Sequence, residues 1–140
     1  MDNALERTSD ESKAIVAQLG TMARDLGKQW DDTIRAEVGP VWIALKSTKR
    51  DRVFAEIRPH RSRVEVFILP RPQDLTDPAG LARRAPPTQG WGWFRTRFHV
   101  SSPSEVAFAF RLIRQSYEYQ RRRPVRRSAQ RRLGRARQTA

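Results

Sequence analysis

Residues 63–69 read Arg63-Val64-Glu65-Val66-Phe67-Ile68-Leu69. Side chains alternate across an extended chain, so Val64, Val66 and Ile68 share one side while Phe67 and Leu69 share the other. A strand that is apolar on much of both faces must be covered on both, which predicts a central strand. Val53 to Ile57 is also strand-like, and Pro59-His60-Arg61-Ser62 between the two runs reads as a turn. So short a connection implies an antiparallel hairpin.

Working outward, Val41, Ile43 and Leu45 alternate with Trp42, Ala44 and Lys46, a strand entered through Gly39-Pro40. On the other side, Phe94, Thr96, Phe98 and Val100 alternate with Arg95, Arg97 and His99, which predicts a fourth strand with the first set inward. Pro70 to Gly92 holds five prolines and three glycines without periodicity and is predicted to be a long loop. Helices flank these elements. From Ser9 to Leu26, Ile15, Leu19, Met22 and Leu26 recur at helical spacing, with Ser9 or Asp10 as cap and Gly27 as the stop. Ser102-Pro103-Ser104-Glu105 has the form of a capping box. It precedes a stripe of Val106, Ala109, Phe110, Ile113 and Tyr117 that runs to about Arg123, where Pro124 ends it. The predicted fold is α+β: a small antiparallel sheet of about four strands against an N-terminal and a C-terminal helix. It divides into a flexible start at 1–8, one domain at 9–120 and a disordered basic tail at 121–140.

Composition sets further bounds. The 140 residues suit one domain with a single core. No apolar run approaches the ~20 residues of a membrane helix. The polar, acidic start lacks the pattern of a secretory signal, so a cytoplasmic location is expected. There is no cysteine, hence no disulfide, thiol nucleophile or thiolate zinc site. The formal net charge is +13, from 28 Lys and Arg against 15 Asp and Glu. Nine of those arginines, and none of the acids, fall within 121–140, so residues 1–120 carry only +4. A GC-rich codon bias would account for Arg over Lys, but not for nine cations without a counter-charge.

Several motifs occur in a recognisable order: Phe54-Ala55-Glu56-Ile57-Arg58-Pro59, Asp77-Pro78-Ala79-Gly80-Leu81-Ala82-Arg83, Gly90-Trp91-Gly92, Ser101 to Glu105, and Leu112 to Glu118. Together they resemble an uncharacterised domain-of-unknown-function family of small bacterial domains often labelled "predicted transport protein". The resemblance spans roughly Ile34 to Tyr119. It implies an α+β domain without an established activity, found alone or appended to other domains, including nuclease-like ones. This chain departs from that pattern in reading Gly90-Trp91-Gly92-Trp93-Phe94-Arg95 where relatives have Gly-His-Trp-Gly and polar turn residues. Its loop is also basic at Arg83-Arg84-Ala85-Pro86-Pro87.

Catalytic and metal sites need converging side chains, and the sequence assembles none. His60 sits in a predicted turn and His99 on a polar strand face, neither with a partner at ligand spacing. Asp31-Asp32 and Asp74/Asp77 are explained by helix exit and turn chemistry. There is no phosphate-binding glycine loop and no nucleophile elbow. No enzyme, metal or cofactor is therefore expected.

Nucleic acid or another polyanion is the first expected partner. Lys46, Lys49, Arg50 and Arg52 cluster where two strands join, and Arg58, Arg61 and Arg63 flank the hairpin turn. The tail contributes Arg121, Arg122, Arg123, Arg126, Arg127, Arg131 and Arg132 for phosphate contacts. The alternative is a protein-interaction or self-association domain, homodimer included, docking through the Trp91, Trp93 and Phe94 loop. The ordinary role of strand-surface cations is solvation, and of tryptophans core packing. The expectation that stands is a non-catalytic binding module.

Overall fold

The structure, a computed structural model, describes residues 3–86 and 93–123. The elements are α1 (Asp10–Gln29), β1 (Ile34–Val38), β2 (Ile43–Ser47), β3 (Arg52–Pro59), β4 (Val64–Ile68), β5 (Arg83–Arg84), β6 (Thr96–Val100) and α2 (Val106–Arg122). The sheet is antiparallel throughout, in the order β1-β2-β3-β4-β6-β5. It has six strands where about four were expected. Both missed strands are edges. β1 buries Ile34 alone of its five residues, so it carries no period-two pattern to read. β5 is two exposed arginines inside the proline-rich loop. Short, charged edges of this kind discourage pairing with another chain.

β4 is central and all five of its residues are buried. One face of the sheet receives both helices. Ile15, Leu19, Ala23 and Leu26 of α1 and Val106, Ala109, Leu112, Ile113 and Tyr117 of α2 pack there. They meet Ile43, Leu45, Ala55, Ile57, Val64, Val66, Ile68, Phe98 and Val100. A β-bulge between Leu45 and Lys46 offsets β2 against β3. It lets Phe54 and Ala55, adjacent in sequence, both reach this core. On the other face a smaller cluster of Phe67, Ala85 and Phe94 lies under Trp42, Val53 and Leu69. Phe94 was expected to point inward with Thr96, Phe98 and Val100. It packs on the opposite face instead, because the chain is irregular before β6, where Arg95 donates to the Ile68 carbonyl and accepts from the Ala85 amide.

The helix ends also differ from expectation. Ser9 caps α1, its side chain accepting from the Ser12 amide. Gly27 does not stop the helix. It is buried inside the last turn, and its carbonyl accepts from the amides of Trp30 and Asp32. The left-handed residue is Asp31, with φ 55°. Gly27 is needed for space: a Cβ there would lie 2.6 Å from Ile34 Cγ1 and 2.7 Å from the Asp32 carbonyl oxygen. At α2 the capping box is displaced. Ser102 makes no cap bond, a 3-10 turn at Pro103–Glu105 leads in, and Glu105 Oε1 accepts from the Ser101 amide at 2.7 Å.

Gly27→Ala should destabilise the protein. Alanine gains about 1 kcal/mol of helix propensity, but overpacking against a backbone carbonyl costs roughly 1–3 kcal/mol. Urea denaturation should show a lower midpoint with an unchanged slope.

Candidate functional site

One end of the sheet brings together cations from distant parts of the chain. The register pairs Ile34 with Ser47, Ser47 with Arg52, Ala55 with Ile68, and Ile68 with Thr96. That places the start of β1, the β2–β3 turn, the end of β4 and the start of β6 side by side. Both helices terminate at the same end. Arg50 Nη1 donates to the Arg123 carbonyl at 3.2 Å, and Lys49 Nζ donates to the Trp30 carbonyl at 3.4 Å. The Arg121 guanidinium lies 3.6 Å from the centre of the Trp30 ring, a close cation–π contact. Arg123 lies over Tyr119 at 5.1 Å. Two groups of residues far apart in sequence, Lys46 to Arg52 and Arg121 to Arg123, are thus one surface.

Beneath that surface is a buried polar network. Asp32 Oδ2 accepts from Ser47 Oγ at 2.5 Å and Tyr117 Oη at 2.7 Å, while Oδ1 accepts from the Lys49 amide at 2.9 Å. Ser47 Oγ in turn accepts from the Arg50 amide. Burial disfavours the Asp32 charge. The bonds from Ser47, Lys49, Tyr117 and the Thr33 amide outweigh it and hold the carboxyl below its ordinary range. Burial, and then the neighbouring Asp32 carboxylate, push the Tyr117 phenol well above its usual value. Nothing in the sequence signals this group, since Tyr117 lies 85 positions from Asp32.

On the other face of the sheet lies an open groove of about 590 Å³, lined by Arg71, Arg84 and Arg95 around Ala85, Phe94 and Pro72. Arg71 is paired with Asp74 at 3.0 Å and Lys46 with Asp51 at 3.0 Å. Arg84, Arg95 and Arg122 form no ion pair among the described residues.

The other expected residues divide as follows. Arg58, Arg61 and Arg63 sit at the opposite end of β3 and do not join the cluster. Trp93 is 69% exposed, whereas Phe94 is buried at 4% and is withdrawn from any exposed aromatic loop. Trp91, Arg126, Arg127, Arg131 and Arg132 lie outside the described residues. Asp77 is a turn residue, accepting from the amides of Leu81 and Ala82. The reading of His60 and His99 as lacking partners is corrected. Both converge on Glu65, at 2.9 Å and 3.6 Å, because the β3–β4 turn folds His60 back over β4 and Glu65 faces His99 in the β4–β6 register.

Among the described residues no group of three or more His, Asp or Glu side chains is placed to hold a metal ion, and no helix is long and apolar enough to cross a membrane. Comparison with family models, curated proteins and solved structures gives no match.

Two substitutions at this end should shift stability in opposite directions. Tyr117→Phe leaves Asp32 short of a donor and should cost about 1–3 kcal/mol. Gln120 is fully buried, and neither of its side-chain polar atoms is bonded among the described residues. Gln120→Met should therefore be neutral or stabilising by up to about 1 kcal/mol. Thermal denaturation checks both. The pH dependence has a definite sign as well. Because the folded-state pKa of Asp32 is lowered, its contribution is present above the ordinary value of 3.8 and is lost as pH falls through the folded value. Asp32→Asn should flatten the acid limb of the stability profile.

Proposed function

We propose that the chain is a nucleic-acid-associated binding module that grips phosphate through this cationic end. The observation that carries the reading is the bond from Arg50 to the Arg123 carbonyl. It ties the last described residue to the β2–β3 turn, so the six further arginines of 124–140, with no acid among them, continue from a surface that is already basic. Guanidinium groups suit this task because they stay charged and donate in a planar fork that matches phosphate oxygens. Such contacts are indifferent to base sequence and weaken steeply with salt. The open groove adds Arg84 and Arg95, which form no ion pair among the described residues, and so offers a second cationic surface to a strand leaving the basic end.

A protein-partner reading keeps one specific support. Trp93, 69% exposed, stands beside the groove, and a large apolar ring in solvent is a frequent docking feature. It predicts a concentration-dependent dimer, or a partner complex, that Trp93→Ala abolishes.

The nucleic-acid reading is tested by fluorescence anisotropy with single- and double-stranded oligonucleotides at low and moderate salt. The full chain should bind. A chain ending at Arg123 should lose most affinity, and its log–log salt dependence should become shallower by about 0.7–0.9 for each phosphate contact removed. Lys49→Glu with Arg50→Glu should weaken what remains. No binding by the full chain at low salt would reject the reading, and equal binding by the shortened chain would reject the role given to 124–140.

A further inference from the structure

At the other end of the sheet, on the face that neither helix covers, charged groups from three segments gather round one carboxylate. Glu65 of β4 is 6% exposed. Its Oε1 is 2.9 Å from His60 Nε2, while its Oε2 is 3.4 Å from Arg97 Nη1 and 3.6 Å from His99 Nε2. Arg58 faces Glu65 in the β3–β4 register and is held 5.2 Å from the centre of the Trp42 ring. Arg63 leads into β4 and acts on His99 through its charge. One arginine would be enough to neutralise one buried carboxylate. Two imidazoles, each about one-third exposed, are more than the fold requires. The Nδ1 atoms of both histidines have no partner among the described residues.

We propose that this cluster is an acid–base centre that cleaves RNA by transesterification, an activity that rests on the nucleic-acid reading above. It would add a reaction to a module that its sequence presents as non-catalytic. Such cleavage asks the protein for a base, an acid and a cation, because RNA carries its own nucleophile in the 2′-hydroxyl. The parts correspond. His60, donating Nε2–H to Glu65, keeps a lone pair on Nδ1 and takes the 2′ proton. The 2′ oxygen bonds to the adjacent phosphorus, and the bond from phosphorus to O5′ breaks. Protonated His99 delivers its proton to O5′. The products are a 2′,3′-cyclic phosphate and a 5′-hydroxyl, with no net change in protons. Glu65 stabilises the imidazolium formed on His60, and Arg97 stands where negative charge grows on the phosphoryl oxygens. Burial and the charges of Arg63 and Arg97 lower the proton affinity of His99 against the pull of Glu65, so the acid form that the step uses is favoured as pH falls. Along β4, Glu65 lies about 10 Å from Ile68, whose carbonyl accepts from the amide of the groove residue Arg95.

The test uses the full chain with 5′-fluorescein-labelled single-stranded RNA and the DNA of the same sequence, following anisotropy for binding and denaturing gels with mass spectrometry for products. The expected result is that both are bound, DNA stays intact, and RNA yields fragments with the mass of a 2′,3′-cyclic phosphate. His99→Ala and His60→Ala should each lower the cleavage rate by about 10²-fold or more with binding unchanged. Glu65→Gln should do the same; the variants of the one-third-exposed histidines keep the test valid if loss of the buried carboxylate unfolds the chain, which circular dichroism reports. RNA bound but uncleaved by the unaltered protein overturns this proposal and leaves the binding reading intact. Cleavage undiminished in all three variants overturns it as well, because the activity is then not of this cluster. Failure to bind either oligonucleotide overturns both readings together.

Discussion

The Asp32 carboxylate is the constraint on which the cationic end of this molecule depends. It sits just past the left-handed turn at Asp31 and receives donors from β2, from the β2–β3 turn and from α2. A buried carboxylate that lost any one of these would carry an uncompensated desolvation cost, so the three segments are held in one arrangement. That arrangement decides where α2 ends. Because Tyr117 is bound to Asp32, the last turn of α2 lies against Trp30 and the β2–β3 turn, and Arg121 and Arg123 take their places beside Lys49 and Arg50. A buried hydrogen-bond network thereby sets the position of the cationic surface.

The two faces of the sheet are put to different uses. Both helices cover one face and, with the strand residues beneath them, form the main core. Ser116 fastens α2 there, donating to the Phe54 carbonyl at 2.5 Å and accepting from the Leu69 amide. The other face is only partly covered, by the small cluster of Phe67, Ala85 and Phe94, and beyond it the strands present charge. Glu56, opposite Ala44 and Phe67, has its proton affinity raised by burial, while Glu65 is surrounded by cations and imidazoles. The helix-free face thus carries charged side chains near both of its ends.

Much of the architecture could be read in advance where a local rule was in force. β4, its hairpin partner β3 and strand β6 showed period-two or two-sided apolar patterns, and both helices showed a stripe at helical spacing. The misreadings share a cause, which is that a neighbour overrode the local rule. Gly27 has the look of a helix stop, yet its lack of a side chain serves the close approach of Ile34 and Asp32. Phe94 continues an alternation whose strand begins only at Thr96. β1 is an edge without an apolar face. His60 and His99 are 39 positions apart and acquire their shared partner only when β6 pairs with β4.

By itself the sequence determined the fold class, the central strand, the two amphipathic helices, the excess of arginine at the C-terminal end and the absence of cysteine chemistry. Each of these follows from composition or from a period set by backbone geometry, and so is local information. Tertiary structure alone decided which charges become neighbours. Strand register brought Lys49 and Arg50 to the end of α2 and set two histidines round Glu65, while leaving Arg58, Arg61 and Arg63 at the far end of β3. Register depends on pairings between segments tens of residues apart, and a shift of one residue would move every side chain to the other face. The electrostatic surface of this protein is therefore a property of its pairing, not of its composition.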